Sequence, residues 1–225
     1  MSTTKPAFEW GSLRRVTPIS HEFGFNRGTP IDRYYVEEFL TRRATDIRGR
    51  VLEIGDASYT HRFGGAQVTR ADVLHVSAGN PGATFVGDLT NAPQLPSDAF
   101  DCFVLTQTLH LIYDVRAALR TIQRILKPGG VLLATFPGIS QVSSDEWAET
   151  WRWSFSAAAA RRLFAEFFPT TALTYESFGN ALSATAFLHG LAVAELSQRE
   201  LDYRDPRYDL LIAVRAVKPA QADQA

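Results

Sequence analysis

The stretch VLEIGDASYT, residues 51–60, decides how this chain is read. Val51, Leu52 and Ile54 frame Glu53, and Gly55 follows at once. A short apolar run that closes on a glycine reads as a strand buried on both faces, leaving the sheet through the glycine. A nucleotide-binding turn at such a place usually carries several glycines, so that backbone can approach the ligand closely. This one has Gly55 followed by Asp56, Ala57, Ser58 and Tyr59. The question is whether so glycine-poor a turn still holds a cofactor.

Downstream of that run, short apolar segments alternate with helical patterns, which predicts βα units feeding a parallel sheet. AQVTRADVL (66–74), ATFVG (83–87) and FDCFVLT (100–106) are expected as the second to fourth strands. Val115, Ala118, Leu119, Ile122, Ile125 and Leu126 repeat at helical spacing. Asp114 is placed to cap that helix, and Lys127-Pro-Gly-Gly to end it. GGVLLATF (129–136) follows as a fifth strand. Further on, SSDEWAETWRW (143–153) reads as a capping segment, SFSAAAARRLFAEFF (154–168) as a helix and TTALTYESF (170–178) as a strand. NALSATAFLHGLAVAEL (180–196) reads as another helix and RYDLLIAVRAV (207–217) as the final strand. Ahead of the sheet lie a loop, HEFGFNRGTP (21–30), and a helix, IDRYYVEEFLTRRA (31–44).

Composition narrows the class. With 45% apolar and 21% charged residues over 225 positions, the chain is expected to fold as one elaborated domain. A formal net charge of −1 gives no broad basic face, which argues against nucleic acid as partner. Cys102 is the single cysteine, so neither an intrachain disulfide nor a cysteine metal cluster is expected, in keeping with a reducing cytoplasm. The first ten residues lack an apolar signal core, and no run approaches the about 20 residues of a membrane helix. The expectation is a cytoplasmic protein with no membrane partner; oligomeric state is left open.

In open α/β sheets, ligands bind beyond the carboxyl ends of the strands. The sequence places Glu53 and Gly55 at the first such end, Asp72 near the second, Asp88 at the third and Gln107 just past the fourth. Carboxylates near buried strand ends need partners, and these three are expected to converge on one ligand. Asp72 also follows Gly55 by 17 positions, close to the spacing of a ribose-binding acid in dinucleotide folds.

Together VLEIGDASYT (51–60) and GDLTNAPQLPSDAFDCFVLTQTLHLIYDVRAALRTIQRILKPGGVLLATFPG (87–138) resemble the class I S-adenosylmethionine-dependent methyltransferases, over about residues 48–138. The resemblance implies a Rossmann-like, doubly wound, seven-stranded and mostly parallel sheet, with helices on both faces and an antiparallel C-terminal strand. It divides the chain into a lid segment (1–47), the methyltransferase domain (48–218) with an acceptor-side cap (140–170), and a disordered tail (219–225). Glu53 and Gly55 would form the turn beneath the cofactor's methionine part, with Asp56 answering its ammonium group. Asp72 would hold the ribose hydroxyls, while Asp88 and the Leu89 backbone would read the adenine edge. Gln107 would face the amino-acid end or the sulfonium. Tyr34 would lie over the cofactor, and Arg27 or Arg33 would meet a carboxylate. The chain departs from the family pattern at Ala57 and Tyr59, where further glycines are usual.

Methyl transfer asks a protein mainly to align reactants and exclude water, and it needs a base only for an acceptor that must lose a proton. His110 is the first candidate base and His21 the second. The other histidines, His61, His75 and His189, show no ligand spacing, so no metal is expected. Trp147, Trp151 and Trp153 fall where an acceptor pocket is expected. The favoured reading is O- or N-methylation of a small molecule such as a sugar or secondary metabolite. The alternatives are a noncatalytic relative that binds cofactor or a partner, and a nicotinamide-dependent oxidoreductase, which the absence of a G-x-G-x-x-G turn disfavours.

Overall fold

The structure, a computed structural model, describes residue 9 and residues 11–143 and 148–220. Its strands are β1 (Gly49–Ile54), β2 (Val68–His75), β3 (Phe85–Val86), β4 (Phe100–Thr106), β5 (Leu126–Pro137), β6 (Leu173–Phe178) and β7 (Leu211–Val217). They form one sheet in the order β3-β2-β1-β4-β5-β7-β6. The pairings from β3 through β5 are parallel, and β7 runs antiparallel to both β5 and β6. The chain winds outward from β1 to β3, then restarts at β4 on the other side of β1. That reversal opens a crevice above the carboxyl ends of β1 and β4.

Alternation along the strands sorts the core into two layers. Leu52, Phe103, Leu105, Leu132 and Ala134 face helix α2 (Val115–Ile125) and helix α3 (Ala157–Phe164). Val51, Cys102, Val104 and Leu133 face helix α1 (Ile31–Arg42) and helix α4 (Ala181–Leu188). The buried stripe of α2 is the sequence-predicted one, and the Asp114 carboxylate accepts from the Ala117 N–H at 2.9 Å. Ser156 caps α3, and Asn180 caps α4 in a reciprocal box with Ser183.

Several expectations need correcting. Lys127-Pro-Gly-Gly does not separate α2 from the next strand: β5 begins at Leu126, and these residues form an irregularity within it, between the Leu126 and Val131 pairings. The helix expected over 180–196 stops at Leu188, because Gly190 takes φ +69°, a conformation that ends helices. The β1–β2 connection contains only a short helical turn, Thr60–Gly64, and a 3₁₀ turn after it. Residues 76–84, between β2 and β3, contain no helix. The second strand runs on to His75, three residues past Asp72. Trp147 and residues 221–225 of the expected tail lie outside the described residues. Among the described residues no helix is long and apolar enough to cross a membrane, and no cluster of metal-ligating side chains occurs.

Candidate cofactor and acceptor cleft

A cleft of about 1070 Å³ opens above the ends of β1 and β4. Such a volume lies at the upper end for small-molecule sites, with room for two ligands side by side. Its floor includes Ile54 and Gly55 from β1, Leu74 and His75 from β2, and Gln107 from the exit of β4. Its roof comes from the N-terminal loop (His21, Phe23, Phe25) and from the segment after β5 (Thr150, Trp151, Arg152). Phe23 and Trp151 stack at 6.2 Å with their planes 9° apart, which joins the two roof segments. The Gln141 amide also donates to the His21 carbonyl at 3.0 Å.

On the strand-end wall, Gly55 takes φ +85°, and a side chain added there would meet nothing within 4 Å. The turn requires a residue free to adopt positive φ, and the space above it is open. Glu53 lies beneath this turn rather than in the cleft. Its buried carboxylate accepts from the backbone N–H groups of Tyr59 at 3.2 Å and Thr60 at 2.7 Å, and so caps the helical turn that follows. Burial pushes its pKa up to about 7, against the opposing pull of its hydrogen bonds from Thr60 and Tyr59. Asp56 accepts from the Ser58 N–H at 2.7 Å in a local turn and does not line the cleft. Tyr59 packs on Phe63 at 5.8 Å, away from the cleft, so this bulky residue does not occupy the ligand's space.

Asp72 is not brought to the cleft. It is 1% exposed at mid-strand, with its carboxylate taken by Arg50 Nε at 2.7 Å and Arg70 Nη2 at 3.0 Å. The position at the end of the strand belongs to His75, whose Nδ1 is engaged by Ser77. Asn80, unremarked in the sequence, donates to the Gly55 carbonyl at 2.5 Å and fixes residues 76–84 against the turn. Asp88 and Leu89 do line the cleft, and Asp88 accepts from the Thr90 N–H at 2.8 Å. Of the three strand-end acids expected to converge, only Asp88 reaches the cavity.

The opposite wall is richer. Gln107 sits at φ +45° just past β4, pinned by its N–H to the Thr135 carbonyl at 2.8 Å. Its amide donates to Asp32 Oδ2 at 2.8 Å, from the first turn of α1. Both residues line the cleft, and each keeps a buried acceptor oxygen, Asp32 Oδ1 and Gln107 Oε1, without a partner. Buried acceptors in that state are destabilising until a donor arrives. Arg33 follows on α1, its guanidinium 5.9 Å from the Phe25 ring centroid, and it too lines the cleft. Asp32 was not singled out from the sequence, because an acid in a first helical turn is an ordinary response to the helix dipole.

His110 is buried against Trp151, with ring centroids 4.4 Å apart, and its Nδ1 has no partner. Burial, assisted by the Arg33 charge, lowers its pKa to about 3. The imidazole is therefore neutral near pH 7. Trp153 lies beyond, stacked on Tyr113 at 5.7 Å. Tyr34 and Arg27 are spent elsewhere: the Tyr34 hydroxyl donates to Asp202 at 2.5 Å outside the cleft, and Arg27 Nε donates to Glu195 at 3.0 Å.

The strand order, the antiparallel β7 and a cleft at the reversal between β1 and β4 define a Rossmann-like methyltransferase fold. Solved structures share it. A SAM-dependent methyltransferase from Archaeoglobus fulgidus is 12% identical with TM-score 0.54, over 83% of this chain and 94% of that one. A Haemonchus contortus phosphoethanolamine N-methyltransferase 2 in complex with S-adenosyl-L-methionine is 14% identical with TM-score 0.53, over 89% of this chain and 60% of its own. The [4+2]-cyclase SpnF is 19% identical with TM-score 0.53, over 83% and 80%. At these identities the likeness is one of fold. No curated protein matches in sequence. Residues 54–134 match the model of the methyltransferase domain family.

Proposed function

We propose that this chain methylates an oxygen or nitrogen of a small-molecule acceptor, with S-adenosylmethionine bound in the cleft between β1, β4 and α1. The observation that carries the reading is the pair of unpartnered acceptor oxygens, Asp32 Oδ1 and Gln107 Oε1, on the wall of a cavity large enough for cofactor and acceptor together. An ammonium group beside a carboxylate and an amide oxygen satisfies both, so the residues present fit the cofactor's amino-acid end. Asp88 and Leu89 would take the adenine edge, Gly55 would leave room for the ribose and thioether, and His75 would meet the ribose at the end of β2.

When bound, the cofactor supplies a methyl carbon made electrophilic by its sulfonium. The chain's own contribution is placement and exclusion of water. Phe23, Trp151 and Phe187 form an apolar enclosure for the acceptor under the loop roof. His110 offers a neutral ring whose Nδ1 is free for a hydrogen bond that orients the acceptor. A group with so low a pKa does not store a full proton at neutral pH, so its role is orientation and partial proton acceptance. That favours acceptors with an available lone pair or an acidic hydroxyl. The chemistry fits a protein working in the cytoplasm, with no nucleic-acid or membrane partner.

Calorimetry with S-adenosylhomocysteine, followed by a mass-spectrometric screen of amine, phenol and sugar acceptors, tests the reading. Tight binding and a product 14 mass units heavier is the expected outcome. Binding with no product over the panel would move the chain to a noncatalytic role, and no binding would remove the cofactor from the cleft.

A further inference from the structure

Apart from the groups assigned to the cofactor, two large aromatic side chains beside the cleft stand open to solvent. Tyr113 is 74% exposed and Trp153 38%, and their rings stack at 5.7 Å with planes 21° apart. Resting on the acceptor reading above, we propose that this pair is a platform for a sugar ring, so that the acceptor is a pyranose-bearing molecule seated on Tyr113 with its inner edge toward His110.

The platform is held in one geometry. Trp153 Nε1 donates to the Ile112 carbonyl at 2.9 Å, and the Arg152 and Trp153 N–H groups donate to the His110 carbonyl at 3.0 and 3.1 Å. Those bonds fix residues 151–153 to the turn that carries His110 and leads into Tyr113. Behind Trp153, Phe155 at 6.5 Å and then the fully buried Phe136, 4.8 Å from Phe155, continue the aromatic series into the core. Aromatic area kept in contact with water in a fixed arrangement at the edge of a cavity marks a ligand surface, unlike a single scattered apolar side chain.

The polar groups around the platform narrow the ligand. Asp114 and Arg152 are exposed and line the cleft next to it. Asp114 spends Oδ1 on the Ala117 N–H, while its Oδ2 and the Arg152 guanidinium have no partner among the described residues. A carboxylate only accepts and a guanidinium only donates, so the fitting ligand brings both donors and acceptors around a flat apolar face. Hydroxyls around the C–H face of a pyranose do this. A hydrocarbon lacks them, and a ligand charged with one sign throughout is opposed by one of the two residues. Deeper in the same cleft, His110 is 3% exposed with its Nδ1 unpartnered. A hydroxyl both donates and accepts, and so satisfies that nitrogen in either tautomer.

Saturation-transfer NMR on the full chain, with and without saturating S-adenosylhomocysteine, tests the platform. The probes are methyl pyranosides of neutral hexoses, deoxyhexoses and amino hexoses, with cyclohexanol as a ring that lacks the array of hydroxyls. At least one pyranoside should bind saturably and take up saturation on its C–H face, and cyclohexanol should bind about fivefold more weakly or worse. Tyr113→Ala should weaken that pyranoside about tenfold, Tyr113→Phe should keep it within about twofold, and Arg152→Gln should fall between. All three variants should hold S-adenosylhomocysteine within about twofold of wild type, which shows the fold and cofactor site intact. Given S-adenosylmethionine, the pyranoside that binds best should gain one methyl group by mass spectrometry. Absence of saturable binding across the panel, equal binding of cyclohexanol, or pyranoside binding untouched by Tyr113→Ala would each overturn the platform, and binding without methylation would overturn the sugar as acceptor. Failure of S-adenosylhomocysteine to bind would instead remove the cofactor reading, and the pyranoside measurements made without it would still decide the platform.

Discussion

The two walls of the cleft are built on opposite principles. The wall from β1, β2 and β3 carries the glycine turn, yet three of its acids are committed to the fold, Glu53 to a cap, Asp56 to a turn and Asp72 to two arginines, which leaves Asp88 and His75 on the cleft. The wall from α1 and the exit of β4 carries no recognisable motif, yet it holds the unsatisfied groups. A motif residue with all its hydrogen bonds made inside the protein has little left to offer a ligand. A buried acceptor without a partner has its full bonding capacity in reserve. The unsatisfied groups at the cleft thus lie on the helix that precedes the strand ends and on the exit of β4.

The sharpest contrast is between Asp72 and Asp32, two buried acids with opposite commitments. Asp72→Ala strands Arg50 on the sheet and should lower the stability of the fold by about 3 kcal/mol, at the low end for breaking a buried ion pair because both arginines reach solvent. Its S-adenosylhomocysteine affinity, corrected for the folded fraction, should stay within threefold of wild type. Asp32→Asn should do the reverse, costing about 2 kcal/mol of binding, roughly thirtyfold in Kd, with little change in melting temperature. Chemical denaturation and calorimetry on the two variants give four numbers. A loss of affinity in Asp72→Ala with stability intact would restore the strand-end wall as the binding wall.

A second contrast is in pH dependence. Glu53 has its folded pKa raised by burial from 4.5 to about 7, so its contribution to stability is complete below 4.5 and is lost as pH rises through 7. His110 has its folded pKa lowered by burial from 6.5 to about 3, so its contribution is complete above 6.5 and is lost as pH falls toward 3. Between 4.5 and 6.5 the two slopes oppose each other. Melting curves should expose each once the other is removed: Glu53→Gln should gain stability with rising pH in this window, and His110→Phe should lose it, each by about 1–2 kcal/mol. Parallel profiles for the two variants would show that neither group titrates as its surroundings dictate.

Much of the fold was legible because its signals are local. β1, β4 and β5 are covered on both faces and so read as nearly continuous apolar runs, and α2 repeats at helical spacing with its cap one residue ahead. The site was less legible because its signals are not local. Where β2 ends is decided by its pairing with β1 and β3, and no feature of VTRADVLH marks His75 rather than Asp72 as the final residue. The partnership of Arg50 with Asp72 joins two strands 22 positions apart. Asp32 meets Gln107 across 75 positions, and a first-turn acid next to an arginine resembles any solvated helix start. The aromatic roof was partly visible, since Trp151 was marked, but its partner Phe23 sits in a loop with no periodicity to betray it.

The smallest effect is expected where family resemblance would look first. Ala57 stands at a position usually held by glycine, and the backbone there does not take positive φ. Alanine is therefore under no conformational strain, and it does not line the cleft. Ala57→Gly gains no contact with a ligand and adds freedom only to the unfolded chain, so stability should fall by about 0.5–1 kcal/mol. Affinity for S-adenosylhomocysteine should change by less than threefold. If restoring the glycine instead tightened binding tenfold, the turn after β1 would be the limiting element, and the Asp32–Gln107 pair would be secondary to it. An unchanged affinity means that the turn needs only Gly55, the one residue there whose φ demands it.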